Sequence, residues 1–231
     1  MRNRNPNKED RLHLLAALAM CENIDWNVGR LLKKLDQLEA SDDTIVAFFH
    51  DNGPNGNRWN GDMEGRKGST EEGGTRSPLL IKWPKGIKAG TKVMQIASVR
   101  DLLPTLCELA GVEHKPDKPL DGKSLKPLLL GDEKGWKPRT LVSTWKGKLG
   151  VREPRFRLGY KGRLFDMEQD PGQRVDVSKK FPKVVERLNK RKDFFQSKVL
   201  DKVGEDNRPF VIGHPGVSWT QIPARDGIAV S

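Results

Sequence analysis

The chain has 231 residues, with 42 Lys and Arg against 31 Asp and Glu, for a net charge of +11. That length fits one large or two small domains, and a basic surface favours polyanions, whether nucleic acid or sulfated glycan. The charge is spread along the whole chain with no RNA-binding signature, zinc-finger spacing or basic heptad region, which speaks against nucleic acid, and two distant cysteines, Cys21 and Cys107, argue against a disulfide framework or a zinc cluster.

The N-terminal MRNRNPNKED is charged, and the apolar LLAALAM after it is short. It has the look of a signal-peptide core, but it runs on without a clear cleavage site. We read it as part of a helix over 11–39, with Ile24, Val28, Leu31, Leu32, Leu35 and Leu38 forming one apolar stripe. Both cysteines sit in apolar helical patterns, which predicts buried, inert thiols. No segment is long and apolar enough to span a membrane.

TIVAFF (44–49) has the character of a central strand in a parallel sheet, buried on both faces. Residues 53–76 read as loop, and PLLIKWP (78–84) as a second strand closed by Pro84. SVRDLLPTLCELAGV (98–112) predicts a helix capped by Ser98 or Asp101, with Pro104 near its start and Gly111 ending it. Residues 113–139 look like irregular surface. TLVSTW (140–145), KLGVRE, RFRLGY and RLFDM then predict an antiparallel meander. In DPGQ (170–173), Pro171 fixes φ and Gly172 permits the reversal. A helix is expected over 181–198, through Val184, Val185, Leu188 and Phe195. The division expected is 1–147, 148–200 and an irregular tail, 201–231.

The stretch VAFFHDNGPNGNRWNGDMEGRKGSTEEGGTR (46–76) carries the chemistry. In a parallel α/β sheet, ligands bind at the carboxyl ends of strands, and Asp51 and Asn52 stand at such an end. A carboxylate beside an amide oxygen suits Ca²⁺ or Mg²⁺ rather than zinc or copper. Two ligands fall short of the roughly 6–8 oxygens that Ca²⁺ takes. Lys67 is suited to hold an anionic group as a point charge, and glycines let backbone approach a ligand. Taken singly, each part has a plainer reading: Asp-Asn-Gly is a good turn, Lys67 a solvated lysine, and Glu72-Gly73-Gly74 another turn.

The combination is more specific. TIVAFFHDNGP, GRKGSTEEGGTRSPLLIKWP, SVRDLLPTLCELAGV and LDGKSLKPLLLGD, in that order and spacing, resemble the sulfatase family, and RLFDMEQDPGQRVDVSKKFPKVVERL resembles its C-terminal subdomain. The resemblance covers roughly residues 12–198 and implies the C-terminal half of an alkaline phosphatase-like α/β fold. That fold would have a mostly parallel sheet with helices on both faces, plus a small α+β subdomain with an antiparallel sheet. Residues 1–147 would then belong to the catalytic domain and 148–200 to the subdomain. It further implies hydrolysis of sulfate esters with one divalent cation, usually Ca²⁺ (Mg²⁺ is the alternative), and a formylglycine nucleophile. Asp51 and Asn52 match the metal ligands. Lys67 matches the lysine at the sulfate and leaving-group oxygens. Glu72, Gly73, Gly74 and Arg76 match a loop signature with a structural role.

Several of the family's parts do not appear in these residues. Neither cysteine lies in Cys/Ser-x-Pro-x-Arg, no serine replaces it, and the early Asp pair is absent. His50 stands where the family usually has a small residue; a lone histidine is more often structural than functional. The resemblance therefore predicts a chain inactive by itself, and unstable or associating unless another chain supplies the N-terminal half, because a halved sheet bares apolar surface. A truncated remnant and a basic module for sulfated polysaccharide are the alternatives, with phosphodiester or phosphonate hydrolysis as the rival chemistry. The expected substrate is a sulfated small molecule or polysaccharide. The family is often exported, but no clear leader is visible here.

Overall fold

The computed structural model describes residues 8–56, 58–113, 115 and 117–203. Helix α1, Lys8–Gln37, runs for 30 residues through leucine- and alanine-rich chain, which favours the helical state. The predicted stripe lies on α1 and the turn after it, but Ile24, Leu31 and Leu38 are exposed and, among the described side chains of α1, only Ala17 is buried. Cys21 is exposed as well, against the expectation of a buried thiol. The pattern specified an apolar helix face, yet no described element covers it.

Strand β1, Val46–Phe49, is half-buried rather than enclosed. Its partner is β2, Leu79–Lys82, and the pair is antiparallel, with Val46 opposite Lys82 and Phe49 opposite Leu79. The fold class is α/β, but the parallel neighbours expected for β1 are not among the described residues. A parallel return needs a crossover, usually a full helix. The chain between β1 and β2 holds only α2, a four-residue helix, Glu72–Thr75.

A 3₁₀ turn, Val99–Asp101, leads into α3, Leu102–Ala110. Ser98 and Asp101 form a reciprocal capping box, Pro104 sits in the first turn of α3, and Gly111 closes it at φ 67°. The supposedly irregular stretch after it contains a short helix, α4, Lys126–Leu129, with Leu125 and Leu128 buried.

Asp101 ties these pieces together. Its carboxylate accepts from the Ser98 N–H at 2.7 Å and the Lys123 N–H at 2.9 Å, and it holds the Arg139 guanidinium in a bidentate pair. The Thr105 hydroxyl donates to the Asp101 carbonyl at 2.5 Å and accepts from the Leu125 N–H at 2.8 Å. Burial works to raise the Asp101 pKa, but the Arg139 pair and the two amide donors outweigh it, so the carboxyl lies below its ordinary value. The unfolded chain therefore takes up this proton more readily, and the contribution is full above about pH 4 and drains away as pH falls further. Urea unfolding between pH 7 and pH 3 should show a loss of stability that is smaller in Asp101→Asn, which starts weaker. Parallel pH profiles for the two proteins would overturn this assignment.

The meander forms as expected. Strands β3 (Leu141–Trp145), β4 (Lys148–Arg152), β5 (Phe156–Leu158) and β6 (Leu164–Asp166) pair in sequence order, all antiparallel. Helix α5, Pro182–Phe195, lays Leu188 on the sheet, where Val151, Phe156, Leu158 and Leu164 complete a core. The rings of Phe156 and Phe181 lie 5.0 Å apart at its edge. At DPGQ the left-handed residue is Gln173, at φ 55°, and not Gly172.

A second, small unit begins at Phe194. Its described part is helical, with a π-turn over Gln196–Leu200 followed by α6, Asp201–Val203. The rest of the tail expected to be irregular, 204–231, lies outside the described residues, as do residues 1–7 at the other end.

Candidate functional site

The polar end of β1 is tied down by backbone hydrogen bonds. The Ser77 hydroxyl donates to the His50 carbonyl at 2.8 Å, and the Gly53 N–H donates to the Gly74 carbonyl at 3.0 Å. The two chains approach so closely that a Cβ on Gly53 would overlap the Gly73 carbonyl, so only glycine fits. The Lys67 N–H donates to the Pro54 carbonyl at 3.1 Å. Lys67 is thus anchored two residues beyond Asn52, although it lies 15 positions along the chain from that asparagine. Asp51 and Lys67 are exposed and Asn52 is half-buried. His50 points outward with its ring edge-on to Phe48, centroids 5.4 Å apart, a packing arrangement.

The loop is also held from within. The Gly73 N–H donates to the Glu64 carbonyl at 2.7 Å, and the Asn60 amide donates to the Met63 and Gly65 carbonyls. Gly73 and Gly74 are buried, and a Cβ on Gly73 would lie 2.6 Å from the Gly65 carbonyl. Arg76 is exposed, 3.8 Å from Glu72.

Glu72 is buried beneath this loop and joins it to the meander. Its carboxylate accepts from Arg157 at 2.9 Å and from Arg152 at 3.1 Å. Arg157, 1% exposed, also donates to the Thr70 carbonyl and lies 3.8 Å from Glu71. Burial pulls the Arg157 guanidinium below its ordinary value, and Glu72 and Glu71 oppose that pull. The Gln173 side chain closes the network by accepting from the Glu72 N–H at 2.8 Å and donating to the Glu71 carboxylate at 2.7 Å. Arg152, Arg157 and Gln173 were not anticipated from sequence. The available hint was Arg157 between the apolar Phe156 and Leu158: strand alternation sends it to the opposite face, which is the face the 70–75 segment covers.

Among the described residues, no group of three or more His, Cys, Asp and Glu is placed to hold a metal. The donors that do stand at the end of β1 fit a hard cation in type, as one carboxylate and one amide oxygen on adjacent residues. They amount to part of a coordination shell.

The solved structures that the chain resembles are sulfatases, which makes it part of an alkaline phosphatase-like α/β fold. The Sulfatase family model matches residues 2–112, and the model described as N-sulphoglucosamine sulphohydrolase, C-terminal, matches residues 67–198. The chain belongs to the sulfatase family. It is similar to steryl-sulfatase of Mus musculus, with 41% identity over 121 residues covering 48% of this chain and 19% of that protein. It also resembles the crystal structure of Ps i-CgsB in complex with k-i-k-neocarrahexaose, with 30% identity and a TM-score of 0.67, covering 74% of this chain and 40% of that one. A third likeness is to BT4656 in complex with its substrate D-glucosamine-2-N,6-O-disulfate, with 26% identity and a TM-score of 0.59, covering 83% and 42%. The chain spans less than half the length of each of these relatives.

Proposed function

We propose that this chain is the C-terminal part of a sulfate-ester hydrolase, in which Asp51 and Asn52 hold a Ca²⁺ ion, or Mg²⁺ in its place, and Lys67 holds the sulfate. The observation that carries the reading is the hydrogen bond from the Lys67 N–H to the Pro54 carbonyl, which keeps the lysine loop beside the strand end. A cation there supplies Lewis-acid stabilisation of charge on sulfate oxygens. Lys67 adds a positive charge to the sulfate and leaving-group oxygens as the S–O bond breaks. Glu72, Gly73, Gly74 and Arg76 shape the loop and do not touch substrate. The nucleophile, a formylglycine, comes from residues that this chain does not contain, and by itself the chain does not turn over. Residues 1–147 belong to the catalytic α/β domain and 148–200 to the C-terminal subdomain. Sulfated saccharides fit as substrates, since two of the relatives above were solved with saccharides bound.

The test is to complete the chain with an N-terminal sulfatase segment bearing formylglycine and to follow nitrophenyl sulfate release. Turnover that needs Ca²⁺ and stops with a chelator is expected. Faster release from nitrophenyl phosphate than from the sulfate would overturn the reading.

A further inference from the structure

The tip of the β3–β4 hairpin lies beside the lysine loop. A Cβ placed on Gly68 would come within 3.5 Å of the Trp145 indole nitrogen, and one on Gly150 would lie 2.8 Å from the Thr70 carbonyl. These two approaches fix the hairpin against residues 68–70, directly after Lys67. Gly68 is exposed at φ +81° and has no side chain to cover the indole. Trp145 pairs with Lys148 across a two-residue turn. In that turn Lys146 (φ 46°) and Gly147 (φ 74°) are both left-handed, as a tight hairpin requires. Trp145 is 48% exposed, at the tip of the hairpin beside the lysine loop.

Lysines stand on the hairpin and beside it. Lys148 and Lys161 reach over the Tyr160 ring at 5.1 and 5.6 Å, and Lys146 and Lys67 are exposed. Among the described residues, none of these four lysines pairs with a carboxylate.

We propose that the Trp145 hairpin is a saccharide platform, which receives a pyranose ring of a sulfated oligosaccharide while Lys67 holds the ester to be cut. This rests on the hydrolase reading and narrows its substrate to sulfated glycans. The indole offers a flat apolar face with a hydrogen-bond donor at its edge, which matches the C–H face and hydroxyls of a pyranose. The lysines meet sulfates on neighbouring units as mobile point charges. Nucleic acid is the other polyanion that stacks on aromatics, but a single tryptophan on a rigid turn suits one ring rather than a row of bases.

The experiment uses the completed enzyme in chelator, so that binding is read without turnover. Hexasaccharides of chondroitin sulfate, heparin and carrageenan, each with its desulfated counterpart, are titrated calorimetrically. At least one sulfated hexamer should bind better than its desulfated form, and Trp145→Ala should weaken it about tenfold or more. Lys146→Asn, which suits the left-handed turn, should weaken it less and reduce its salt dependence. Nitrophenyl sulfate turnover, measured separately with Ca²⁺, should be unchanged in both variants. Unaltered glycan affinity in both variants, no preference for sulfation, or equal competition by a single-stranded oligonucleotide would overturn the platform. Absence of aryl sulfate turnover alongside intact, Trp145-dependent binding would instead remove the hydrolase reading.

Discussion

Glu72→Ala is expected to cost about 3–5 kcal/mol of stability, because it leaves the buried Arg157 guanidinium without its main counter-charge. The neighbouring Glu71 is 3.8 Å away and shared with Gln173, so it replaces little of the loss. A small domain holds about 5–15 kcal/mol in total, so the variant would unfold in part at ordinary temperature. Replacing both members of a buried ion pair by apolar groups of similar volume avoids much of what removing one partner costs. Glu72→Ala combined with Arg157→Met should therefore be more stable than Glu72→Ala alone, an outcome that simple addition of two losses does not give. Urea unfolding of the two single variants and the double variant measures this. A Glu72→Ala loss under about 1 kcal/mol, the range of an exposed pair, would mean that water reaches Arg157.

This network also marks where sequence reading stopped. Local rules recovered what is local. The cap at Ser98 and Asp101, the end at Gly111 and each hairpin of the β3–β6 meander are decided within about a dozen residues, and they formed where expected. Glu72 and Arg157 are separated by 85 positions and Asp101 and Arg139 by 38, and no periodicity connects such pairs. The motif therefore identified the loop around Lys67 without indicating what holds it up. At 170–173 composition suggested Gly172 as the flexible residue, but tertiary demand placed Gln173 there, because its side chain had to reach Glu71 and Glu72. On α1 and β1 the apolar pattern predicted burial that the described residues do not show, because burial depends on what packs against them. Leu15, Leu18, Trp26 and Leu31 remain more than half exposed, and Cys21 is exposed too.

Lys67→Ala in the completed enzyme should lower kcat by about 10²–10³, the usual loss when one preorganised stabiliser of developing charge is removed. The loss belongs in kcat because the charge on the leaving-group oxygen exists mainly in the transition state. It should also depend on the leaving group. Nitrophenolate carries its own charge well and needs Lys67 less; an alkyl or sugar alkoxide needs it more, so the deficit should widen for a saccharide sulfate. Lys67 is exposed and, among the described residues, donates only its backbone N–H to the fold, so thermal unfolding should be unchanged. Asp51→Ala should act differently, by raising the Ca²⁺ concentration needed for half-maximal rate, because it removes the carboxylate proposed to hold the cation at the end of β1. A Lys67→Ala enzyme with undiminished kcat on both substrate types would dismiss the lysine from the chemistry. A deficit that tracked a fall in melting temperature would assign Lys67 to the scaffold instead.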